Sequence, residues 1–120
     1  MSLRESLNLI VESVDGVIAA IIMGYDGIPI DEVAVEQSEL DIQLLSVEYS
    51  IVLKEIKRAV EIINMGDLEE VVISTTRTCI VVRVLNEDLF AALIMRCDGN
   101  VGKGRYLLKL KSFEVVRELS

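Results

Sequence analysis

Apolar positions recur along the chain with two periods, one helical and one extended, in alternating blocks. In residues 3–14, Leu3, Leu7, Ile10, Val11 and Val14 fall on one stripe. Arg4, Glu5, Asn8 and Glu12 lie mostly off it, which predicts an amphipathic helix that ends at Asp15 and Gly16. Residues 17–23 are apolar at every position, as in a strand covered on both faces. Tyr25, Asp26 and Gly27 are a tight-turn signal, and residues 28–30 predict a short return strand. Pro29 has no N–H to donate, so that strand belongs at a sheet edge.

Residues 41–65 predict the longest helix. Ile42, Leu45, Tyr49, Val52, Ile56, Ala59 and Ile63 repeat at steps of three and four, and Leu44, Val47 and Ile51 form a second apolar stripe on a different face of its first half. One face suffices to cover a sheet, so two suggest a further client. Ser38 with Asp41 resembles a capping box before this helix, and Gly66 with Asp67 is its stop signal. Residues 69–75, 78–85 and 89–97 then predict three strands, joined by turns short enough to force antiparallel hairpins. The last two strands read as central, and 69–75, with more polar ends, as an edge. Asp98, Gly99 and Asn100 break the pattern before a final helix over 101–119. Its main stripe is Tyr106, Leu107, Leu110, Phe113 and Val116, with Leu108, Val115 and Leu119 opposite. The order helix, two strands, helix, three strands, helix predicts a single α+β domain over residues 1–120. Its core is a five-stranded antiparallel sheet with helices on both faces.

Composition sharpens this reading. Of 120 residues, 52% are hydrophobic and 27% charged, too apolar and too evenly mixed for a disordered segment. No run reaches the roughly 18 to 20 consecutive apolar residues of a membrane span, so the surplus apolar surface is expected to be buried against a second copy or a partner. Residues 1–5 show no basic stretch leading into an apolar one, and no signal peptide is expected. Cys79 and Cys97 sit in apolar strand patterns and read as small buried hydrophobes in a reducing, cytoplasmic compartment. The formal net charge of −8 argues against nucleic-acid binding, which needs clustered lysine and arginine.

Reactive chemistry is sparse. The chain has no histidine, which removes the commonest general base, the triads built on it and most zinc sites. The acidic stretch Asp31, Glu32, Glu36, Glu39 and Asp41 lacks the alternating ligands and central glycine of a calcium loop and reads as a solvated loop. No carboxylate sits within an apolar strand, where burial would tune its pKa. Residues 99–105 contain Gly99, Gly102, Lys103, Gly104 and Arg105 but complete neither a P-loop nor a dinucleotide fingerprint. Small residues there also suit a tight turn and a helix lying close to the sheet. No catalytic, metal-binding or cofactor-binding residue is expected.

The element order, the run Gly24-Tyr25-Asp26-Gly27-Ile28-Pro29-Ile30 after an all-apolar strand, and the opening Gly102-Lys103-Gly104-Arg105-Tyr106-Leu107-Leu108 of the last helix resemble the roadblock (dynein light-chain) family. The likeness spans essentially the whole chain and is greatest to the MglB-like bacterial and archaeal members. It implies a dimer in which the long central helices lie side by side and an edge strand from each subunit joins one continuous sheet. It also implies a non-enzymatic platform for a small Ras-like, MglA-like GTPase, whose GTP hydrolysis MglB promotes without inserting a catalytic arginine. The residues agree with such a dimer, because an exposed edge is removed by pairing with its twin. Leu44, Val47, Ile51, Lys54, Arg58, Val71 and Ile73 are expected at the dimer contact, and Glu48, Glu55, Glu39 and Asp41 at the GTPase. Two other readings stay open: a pure dimeric scaffold of a motility, polarity or signalling complex, and a nucleotide- or anion-binding domain using residues 99–105.

Overall fold

The computed structural model describes residues 3–35 and 40–119. The elements are α1 (Leu3–Ser13), β1 (Val17–Gly24), β2 (Pro29–Ala34), α2 (Ile42–Ile63), β3 (Glu70–Ser74), β4 (Thr78–Val84), β5 (Leu89–Arg96) and α3 (Val101–Leu119). The sheet order is β2-β1-β5-β4-β3, and every neighbouring pair is antiparallel. Both strands expected at edges, β2 with its Pro29 and β3, are there. Most element ends lie within a residue of expectation, and three differences matter. β2 runs on through Asp31 and Glu32, where Asp31 meets Arg4 of α1. Asp41 is itself the N-cap of α2, accepting the Leu44 N–H at 3.0 Å, and Ser38 lies outside the described residues. α2 stops at Asn64, which adopts the left-handed conformation (φ 57°) and donates its N–H to Val60 O, before Gly66 is reached.

The all-apolar strands are explained by a core on each side of the sheet. Ala20, Ile22, Val81, Leu93 and Met95 face α1 and α3, packing with Leu7, Ile10, Leu108 and Val115. The alternate residues Ala19, Ile21, Met23, Ile80, Val82, Phe90 and Ile94 face α2, packing with Leu45 and Leu53. Burying each such large aliphatic side chain contributes about 1.5–3 kcal/mol. α2 presents few bulky residues inward. Ser46 and Ser50 are also buried there, their hydroxyls donating to Ile42 O (2.7 Å) and Val47 O (2.9 Å). α2 crosses the β1–β2 turn at Gly27, where a Cβ would come within 3.2 Å of Ser50 Oγ.

Two expectations are corrected. Cys79 is buried, but Cys97 is exposed: it follows the end of β5 in the turn region, its Sγ donating to Thr76 O. α3 lies the other way round from its expected stripe. Gly104, Leu108, Ser112 and Val115 face the sheet, while Tyr106, Leu110 and Phe113 are exposed. Gly104 is the cause. A Cβ there would lie 2.8 Å from Met95 Sδ and 3.0 Å from Leu93 Cδ2, so the helix makes its closest approach along the face that carries the glycine.

Candidate interaction surface

Successive steps of three and four residues along α2 bring Leu44, Val47, Ile51, Lys54 and Arg58 onto one outward stripe, opposite the buried Leu45 and Leu53. Leu44, Val47 and Ile51 are each about half exposed, at 58%, 49% and 50%. Ile62 extends the same stripe and is 67% exposed. It was missed in the sequence, although the spacing from Ile51 through Arg58 to Ile62 continues the pattern. Ile28 and Ile30, also exposed, add apolar surface at the hairpin that α2 crosses. Ile30 owes its position to a bulge: Ile22 pairs with Asp31 but Met23 with Pro29, leaving Ile30 without a partner.

Val71 and Ile73 lie half-buried on the face of β3 that packs towards the α2-side core. Their own amides point inward. Thr75 N–H donates to Thr78 O and Val84 N–H to Glu69 O, so by antiparallel alternation residues 69, 71, 73 and 75 bond to β4. The main-chain groups of Glu70, Val72 and Ser74 therefore face outward along the open edge. The structure thus gathers the α2 stripe in one place and sets Val71 and Ile73 on an adjacent strand on the same side of the sheet.

Of the residues expected to meet a partner, Glu48 and Glu55 are exposed on α2, and Glu55 accepts from Arg58 at 3.1 Å. Asp41 is exposed but engaged in capping. Glu39 lies outside the described residues. The segment over residues 99–105 is occupied by packing and capping. Asn100 Oδ1 accepts the Lys103 N–H at 3.1 Å, and Arg105 pairs with Glu70. Gly99 abuts Gly16, where a Cβ on Gly99 would stand 2.8 Å from Gly16 Cα.

At the hairpin end, Tyr25 packs against Phe90 with ring centroids 5.2 Å apart and planes tilted by 51°, and Lys57 Nζ sits 4.8 Å from the Tyr25 centroid while donating to Glu87 O. The Tyr25 hydroxyl is buried with no hydrogen-bond partner among the described residues, and burial raises its pKa above the ordinary tyrosine value.

No family model matches the chain, and no curated protein does. Solved structures do. MglC from Myxococcus xanthus is 36% identical, with 98% of this chain and 99% of that one covered and a TM-score of 0.72. A roadblock/LC7 domain from Streptomyces avermitilis superposes at a TM-score of 0.85 with 15% identity, covering 99% and 98%. An MglB in a tetrameric arrangement superposes at 0.84 with 14% identity, covering 94% of this chain and 84% of that one.

Proposed function

This chain belongs to the roadblock family, among its MglB- and MglC-like members, and from that premise we propose that it works as a homodimeric, non-enzymatic platform for a small, MglA-like Ras GTPase. The observation that carries the reading is the pairing of an outward apolar stripe on α2 with an open edge at β3. Leu44, Val47, Ile51 and Ile62 form one exposed apolar strip, the kind of surface that supports an interaction site. A two-fold contact would bury that strip against its own copy and satisfy the outward amides of β3 in a joined sheet. The tetrameric arrangement of an MglB supports self-association in this family. The GTPase would lie across the paired helices, where Glu48 and Glu55 meet basic residues.

The test has two parts. Leu44→Glu combined with Ile51→Glu yields monomers by light scattering, because two carboxylates cannot be buried unpaired at the contact; an unchanged dimer mass refutes the α2 assignment. The intact protein is then offered an MglA-like GTPase loaded with GTP analogue or GDP. Retention that depends on the nucleotide supports the platform. Equal failure in both states, with the dimer intact, refutes the GTPase and leaves a dimeric scaffold.

A further inference from the structure

α3 differs from the rest of the molecule in charge. Five of the chain's twelve lysines and arginines lie in it, but only two of its twenty carboxylates. Its outward side is also apolar, with Tyr106 and Phe113 each 64% exposed, in a chain that has five aromatic residues in all. Lys103 and Lys109 are exposed on that side and make no ion pair among the described residues. Beside the helix run two hollows of about 380 and 260 Å³ that share Arg83 and Lys109. They form one groove between α3 and the end of β4, with Tyr106, Phe113, Val84 and Leu85 along it.

We propose that this groove docks a short acidic amphipathic helix of a partner protein. Phe113, Tyr106, Val84 and Leu85 would receive its apolar side chains, and Lys109 in the groove, with Lys103 on the adjoining exposed side of α3, its carboxylates. One observation favours such a segment over an anionic lipid surface: α1 lies on the same face of the sheet and exposes Glu5 and Glu12, which a flat negative surface laid over α3 would also meet. Two carboxylates line the groove and both face its cations: Glu70 is held by Arg105 at 2.9 Å and lies 3.6 Å from Arg83, and Glu69 lies 3.9 Å from Arg83, which leaves Lys109 for the ligand. From Gly102 to Val116 the helix offers roughly 21 Å, enough for about fourteen residues of a partner helix. α2 lies on the opposite face of the sheet, so the dimer proposed above leaves the α3 wall of the groove open and brings the twin's β3 alongside only its Glu69 and Glu70 rim.

The experiment titrates the ¹⁵N-labelled full chain with a synthetic helix-forming peptide of that length, carrying phenylalanine and leucine on one face and glutamate elsewhere. A second peptide has lysine for each glutamate. The expected result is saturable NMR shifts centred on Val84, Leu85, Tyr106, Lys109 and Phe113 with the acidic peptide, weakening steeply with salt. Binding falls at least about tenfold with the lysine peptide, with Lys103→Glu plus Lys109→Glu, and separately with Phe113→Ser. All these positions are exposed, so melting temperatures should stay unchanged and the variants test binding alone. Absence of saturable shifts, shifts centred elsewhere, an equal response to the lysine peptide, or indifference to these substitutions would overturn the proposal. So would co-sedimentation with phosphatidylserine vesicles that the same variants abolish, which would assign the face to a membrane.

Discussion

Tyr25 shows how a single residue's surroundings set its cost. Its ring is well placed between Phe90 and Lys57, but its hydroxyl is buried without a partner. A buried polar group that makes no hydrogen bond loses its hydration for nothing, at about 1–3 kcal/mol. Tyr25→Phe keeps the ring and should leave the melting temperature equal or higher near neutral pH. Burial also raises the folded phenol's pKa. The stability linked to its proton is therefore fully present below the unfolded value of about 10 and is lost as pH rises through the folded one. Thermal melts followed by circular dichroism from neutral to strongly alkaline pH should show a steeper alkaline loss for the wild type than for the variant; parallel curves would refute this. Asp41 is the opposite case, a carboxylate with a local task. Asp41→Ala removes the cap on Leu44 N–H and should cost about 1 kcal/mol in chemical denaturation.

At the scale of elements, the positions of the helices depend on where side chains are missing. Gly99 and Gly16 bring the start of α3 against the end of α1, and no alanine fits. A Cβ on Gly99 would stand 2.5 Å from Asp15 O, a main-chain atom that cannot swing aside. Gly99→Ala should therefore destabilise by about 1–3 kcal/mol. Gly102, three residues on, meets only Asn100 Oδ1 at 3.9 Å and lies within α3. Gly102→Ala should stabilise by up to about 1 kcal/mol, since alanine is the better helix former. Urea unfolding of the two variants checks the opposite signs. α3 also shows why an apolar stripe was misread. Tyr106, Leu110 and Phe113 are the greasier side, but the stripe of Gly104, Leu108, Ser112 and Val115 is the one that fits against Leu93 and Met95. Hydrophobicity alone favours the first. Steric fit selects the second.

For the whole molecule, the open question is what covers the surfaces left bare on the two faces of the sheet. On the α2 side, the proposed dimer makes a specific claim about the backbone. The amides of Glu70, Val72 and Ser74 point out of the β3 edge. Hydrogen exchange should find them protected in the wild type and fast in the Leu44→Glu, Ile51→Glu variant, while those of Val71 and Ile73, bonded to β4, stay slow in both. Fast exchange at all three outward amides in a confirmed dimer would mean that the edge strands do not pair. On the α1 and α3 side no twin is required, and the basic groove is left to a different kind of partner.

Element order, the two edge strands and the doubled apolar face of α2 were readable from the sequence. Each depends on local periodicity or on the chemistry of one residue, as Pro29 shows at its edge. The outward stripe of Leu44, Val47 and Ile51 on α2 could be named residue by residue for the same reason. The tertiary structure alone decided which side of α3 turns inward, that Cys97 is exposed, and that Arg83, Lys109, Tyr106 and Phe113 converge on one groove. Those outcomes depend on how closely separate elements approach, as at Gly104 and Met95 or Gly16 and Gly99, and no periodicity encodes a separation in space.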